Sequence, residues 1–168
     1  MSDSSTVSVA QWLDPSSDVA SVALQSDPAV ADDLARELRG ENFVVRVVRG
    51  ENMRTTAQVF DEFAAAFQFP SHFGRNKDAF DDVMRDLDDV LGLGAGYVVV
   101  IRGAGSLLSE QQDQLEWFRE TMDFYTEEWE PVVFRTVYQF GAEDLTTHGE
   151  DLVELDYPAP RHCTDFHS

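Results

Sequence analysis

Apolar residues along the chain follow two periodicities, and their alternation gives a first outline of the fold. Residues 43–48 (FVVRVV), 97–101 (YVVVI) and 132–140 (VVFRTVYQF) are β-branched runs of strand length. Runs that are nearly continuous in apolar residues suit a parallel sheet covered on both faces. Helical spacing separates them. Residues 55–68 place Val59, Phe60, Phe63 and Phe67 on one side before Pro70. Residues 77–91 place Phe80, Val83, Met84, Leu87 and Leu91 on a regular amphipathic stripe. A third helix is predicted to begin at Ser109, where Ser109 and Gln112 have the spacing of a capping box, and to bury Leu115, Phe118, Met122 and Tyr125. A shorter helix follows Asp27-Pro28, with Val30, Leu34 and Leu38 on one face up to Gly40.

The predicted fold class is therefore α/β, a small three-stranded parallel β-sheet packed with α-helices, carrying N- and C-terminal extensions. The expected divisions are an N-terminal extension with its accessory helix over residues 1–40, one domain over 41–141, and an acidic C-terminal tail over 142–168. The first 27 residues are rich in Ser and Asp and hold only scattered apolar positions (Val7, Val9, Trp12, Leu13, Val19, Val22, Leu24), which implies a loose edge strand or nothing regular. The tail ends in a polar Pro158-Ala-Pro160-Arg-His-Cys stretch. At 168 residues and 43% hydrophobic content, with 12 Phe, 4 Tyr and 3 Trp, one compact core is affordable.

Charge narrows the partners. The chain has 32 acidic against 12 basic residues, a formal net charge of -20. A polyanion repels phosphates, so no nucleic acid is expected on its surface, and cationic partners are favoured. Solubility in a salt-rich cytoplasm is an equally simple reading of the same acidity. Cys163 is the single cysteine, so no intramolecular disulfide can form, and the N-terminus shows neither a basic segment nor an apolar run. These features point to a reducing cytoplasm. The apolar run 97–101 is too short to span a bilayer, and no membrane role is expected.

Candidate chemistry concentrates around one loop and helix. Rotation by about 100° per residue sets Asp78, Asp82, Arg85 and Asp89 opposite the apolar stripe of residues 77–91. Ahead of them lies Phe69-Pro70-Ser71-His72-Phe73-Gly74-Arg75-Asn76, where Pro70 supplies rigidity, Gly74 a special backbone angle and Asn76 a helix N-cap. The plain alternative is an ordinary solvated helix face whose Asp78 complements the helix dipole. Other sites are weaker. Gly92-Leu-Gly-Ala-Gly96 precedes a strand, unlike a phosphate loop, and reads as a helix stop. His162, Cys163 and His167 fit no zinc spacing, so no metal and no cofactor is expected. Asp78 and Asp82 lack the burial that would separate an acid from a base, and no nucleophile triad stands out; the chain is not expected to be an enzyme.

The string FPSHFGRNKDAFDDVMRDL resembles the loop and helix of the barstar family, with Pro70, Phe73, Gly74, Asn76, Asp78, Ala79 and Phe80 in matching places. The resemblance extends more weakly from residues 43–48 to 132–140. It implies a protein that binds and blocks a basic, extracellular-type ribonuclease, a carboxylate imitating the RNA phosphate. The partner-binding residues it implies are His72, Phe73, Gly74, Asn76, Asp78 and Asp82, with Glu120 from the third helix. A monomer that forms a 1:1 heterodimer is the expected state. Two positions depart from the family pattern: Asp81 stands where Trp is common, and Lys77 where a hydrophobic residue is. A barstar-fold interaction module without inhibition is therefore a second reading, and a hydrolase using the acidic residues a third.

Overall fold

The computed structural model describes residues 6–141 and 151–157. One sheet of six strands runs through the molecule in the order β1-β6-β2-β5-β4-β3, with every pairing parallel. The strands are β1 (Thr6–Ser8), β2 (Ser21–Gln25), β3 (Phe43–Arg49), β4 (Gly96–Arg102), β5 (Val133–Phe140) and β6 (Val153–Asp156). The helices are α1 (Val9–Leu13), α2 (Pro28–Gly40), α3 (Thr56–Phe67), α4 (Lys77–Met84), α5 (Leu87–Leu91) and α6 (Leu115–Glu128). The register sets Arg46, Val99, Thr136 and Ser21 side by side across four strands.

The α/β class and the three central strands agree with the sequence reading, but the strand count does not. Thr6–Ser8, Ser21–Gln25 and Val153–Asp156 add three strands at the side expected to be irregular. β2 inserts between β6 and β5, and the first 27 residues thus contain two strands, β1 and β2, as well as a short helix. Three and four residues of β1 and β6 are too few to show a period of two, and β2 is flanked by Ser and Asp that dilute its signal.

Each face of the sheet has its own apolar cluster. α1 and α2 cover one face, where Trp12, Leu13, Leu34 and Leu38 pack on Val22, Leu24, Val45, Val98 and Val137. On the other, α3, α4 and α6 bury Phe63, Phe67, Phe80, Met84, Phe118 and Tyr125 against Val99, Ile101, Phe134 and Tyr138. All eight residues of β5 are buried, including Arg135, Thr136 and Gln139, as befits a strand covered on both sides. The Arg135 guanidinium donates to the carbonyls of Trp12 (2.6 Å), Asp14 (2.7 Å) and Phe134 (3.1 Å), tying the end of α1 to the sheet. Burial makes that guanidinium easier to deprotonate than usual, partly offset by Glu130 and Asp14.

Two helices differ from their predicted extents. Helical spacing over residues 77–91 is interrupted at Arg85 and Asp86, where the backbone of Asp86 leaves the helical region, so α4 and α5 are separate. The predicted helix start at Ser109 is also displaced. Residues 112–114 form a single 3-10 turn, α6 begins at Leu115 without a side-chain cap, and the Ser109 hydroxyl is buried with no partner among the described residues. The capping box that does form is Ser8 with Gln11, at the start of α1. The outer edge of β3 is shielded: the Val45 carbonyl accepts from Arg39 (3.0 Å) and Arg46 (3.3 Å), and the Arg49 amide donates to Glu62 (2.9 Å).

Candidate functional site

The loop between α3 and α4 is built from local rules that fix it firmly. Gln68 takes the left-handed conformation that ends α3. The Phe73 amide donates to the Pro70 carbonyl at 3.0 Å, closing a turn. The half-buried Phe73 ring stands edge-on to Phe69 (4.9 Å) and Phe60 (6.2 Å), which anchors the loop to the aromatic core. Asn76 caps α4 as expected, its Oδ1 accepting from the Ala79 amide at 2.8 Å. The special backbone angle lies one residue beyond the glycine: Arg75, not Gly74, has a positive φ of 59°. Arg75 then pairs with Asp61 on α3 at 2.8 Å. A Cβ added to Gly74 would meet Ala79 and Asn76 at 3.4 Å, an ordinary van der Waals contact, so the position requires glycine neither for angle nor for space.

With Phe80 and Met84 buried, α4 turns Asp78 and Asp82 to the solvent. His72, Gly74 and Asn76 are exposed beside them. Glu120 is exposed on α6, the helix adjoining α4, and lines a groove of about 510 Å3 with Gln112, Leu115, Glu116 and Arg119. Its proton is held more tightly than that of an ordinary glutamate, first through a hydrogen bond with Glu116 one turn back and then through the charge of that neighbour. Six of the seven residues singled out in the sequence thus sit on one loop-and-helix unit, and the seventh on its neighbour.

The other charged residues of this helix and its C-cap are engaged elsewhere. Lys77 lies over the Trp117 ring, its ammonium 4.5 Å from the ring centre, and donates to the Gln114 side chain at 2.7 Å. Asp81 accepts from the Tyr125 hydroxyl at 2.9 Å and faces Arg85 at 3.4 Å, while Arg85 also pairs with Glu128 at 2.9 Å. The Trp129 indole donates to the Met84 carbonyl at 3.0 Å. The Asp81–Arg85 pair was readable as an i, i+4 spacing, but Tyr125 and Glu128, more than 40 residues away, carried no local signal. Phe124 remains 46% exposed beside Arg85.

The carboxyl ends of the strands, where open parallel sheets commonly bind small molecules, are bridged from within. The Gly103 amide donates to Gln139 Oε1 at 2.7 Å, and Gln139 Nε2 donates to the Ser26 carbonyl, so one side chain spans from the end of β4 to the end of β2. Among the described residues no cluster of three or more His, Cys, Asp or Glu could hold a metal ion, and no helix is long and apolar enough to cross a membrane. His162, Cys163 and His167 lie outside the described residues.

A family model described as Barstar (barnase inhibitor) matches residues 43–139, more than half of the chain. That span opens with β3, ends within β5, and contains the loop, α4 and α6. No curated protein sequence matches the chain.

Proposed function

Because the chain belongs to the barstar family, we propose that it is a protein inhibitor of a basic ribonuclease, seating carboxylates of α4 among the cations of that enzyme's active site. The observation that supports this most is the pair Asp78 and Asp82 on the exposed side of a helix whose other side is sealed into the core. A ribonuclease active site is built to hold phosphate, and a carboxylate on a rigid support makes charge-assisted hydrogen bonds to the same groups. In this reading His72, Phe73, Gly74, Asn76, Asp78 and Asp82 face the partner, and Glu120 adds a carboxylate from α6. Phe73 does so mainly through its backbone, since its ring is packed against Phe69. The net charge of -20 draws a cationic enzyme from a distance.

Titrating the chain into a panel of basic microbial ribonucleases, barnase among them, tests the reading. RNA cleavage by at least one member should fall to zero at one equivalent, and association should slow as salt screens the attraction over a Debye length of about 8 Å. Undiminished cleavage across the panel at a tenfold excess would overturn it. A second reading, a barstar-fold interaction module without inhibition, is favoured by Lys77 and Asp81, whose side chains are committed to α6.

A further inference from the structure

α4 has eight residues, and only Phe80 and Met84 of them are fully buried. Two such anchors, one turn apart on one face, hold the helix from one side only, and its flank depends on other contacts. Rotation matters here, because a side-chain end about 5 Å from the axis moves by about 2 Å when the helix turns by about 20°. A displacement of that size breaks a hydrogen bond.

Contacts with α6 and with the residues flanking it, Gln114 and Trp129, occur at three successive levels on one flank of α4. Lys77 meets Gln114 and Trp117 at the first level, and Asp81 meets Tyr125 at the second. At the third, Arg85 at the C-cap of α4 meets Glu128, and the Met84 carbonyl meets Trp129. The middle contact has the stiffest support. Tyr125 is fully buried, its ring set among Phe80, Phe134 and Phe124 at centroid distances of 5.8–6.5 Å. Burial first, and the hydrogen bond to Asp81 next, push loss of the phenol proton well above its ordinary range, so the hydroxyl remains a donor at any physiological pH. Asp81 in turn aligns Arg85 for Glu128, which makes a chain of four side chains across two helices.

We propose that Asp81 is a positioning residue: with Tyr125, Arg85 and Glu128 it clamps α4 to α6 and fixes the direction in which Asp78 and Asp82 leave the surface. Position 81 then acts inwards, and recognition rests on the neighbouring carboxylates. The consequence for a partner depends on the inhibitory reading above, whereas the clamp is a property of the free protein.

The test compares Asp81→Ala, Tyr125→Phe and the double variant in the full chain. The phenylalanine keeps the buried ring and removes only the hydroxyl, which lies beneath the surface and out of a partner's reach. Amide exchange across residues 77–84 should quicken about threefold to tenfold in each single variant, the scale of one hydrogen bond. The double variant should exchange no faster than Asp81→Ala, because both changes break the same contact. Unchanged exchange in α4, or effects that multiply, would overturn the clamp. With barnase as the probe, Tyr125→Phe should also hasten dissociation. If Asp81→Ala hastens it and Tyr125→Phe does not, Asp81 is a contact and the positioning role is wrong. Should the wild-type chain fail to bind barnase, that outcome bears on the inhibitory reading, and exchange alone decides the clamp.

Discussion

In the proposed inhibitory reading, Asp82 is a side chain at which folding and recognition can be tested apart. It is exposed, lies opposite Phe80 and Met84, and has no ion pair or side-chain hydrogen bond among the described residues. Asp82→Ala should change folding stability by no more than about 0.5 kcal/mol, as expected of a solvated surface position. If Asp82 occupies a phosphate site, the same substitution leaves the enzyme's cations unpaired and should weaken inhibition by roughly 2–5 kcal/mol, chiefly through faster dissociation. Chemical denaturation and titrated inhibition of RNA cleavage, run on the same preparation, check both halves. At this scale the sequence was legible where a rule is local. Asn76 preceding an acidic first turn signalled a cap, and the 100° rotation rule set Asp78 and Asp82 outward. It was opaque where a partner comes from afar. Nothing near Asp81 announced Tyr125, and the left-handed angle fell on Arg75 although Gly74 stood beside it as the usual occupant.

Elements reveal a different limit. β3, β4 and β5, nearly continuous apolar runs of strand length, and α3, with its helical stripe, lie where their patterns placed them, because 7 to 12 residues give a pattern room to show. β1, α1 and β6 have three to five residues each, and their apolar side chains become meaningful only once the sheet sets them together. Trp12 is wholly buried although it lies in a Ser- and Asp-rich stretch. The structure therefore sets the expected effect of truncation. Deleting residues 1–27 removes Trp12, Leu13, Val22 and Leu24 from the core and takes β2 from between β6 and β5. At about 1.5–3 kcal/mol for each buried side chain, the loss is of the order of a domain's whole stability. The shortened chain should show no cooperative thermal transition, whereas a chain merely trimmed of an irregular extension would melt as the full one does. Circular dichroism on heating distinguishes the two.

The whole molecule combines a core sealed on both faces of a parallel sheet with a surface of strong negative charge. The acidity was plain in composition, but composition could not say which carboxylates are committed internally and which are free. Asp61, Asp81, Glu62 and Glu128 each hold an arginine, while Asp78 and Asp82 stand free of ion pairs among the described residues. The central claim is that these free carboxylates enter an active site made for phosphate, and the most direct measurement is competition. Binding of the chain to an inhibited ribonuclease should be measured with and without a 3′-mononucleotide that fills that site. At about one hundred times its own Kd, the nucleotide should weaken the complex roughly a hundredfold if the two ligands exclude each other. An affinity unchanged by the nucleotide would show that the chain grips the enzyme elsewhere and would contradict the account.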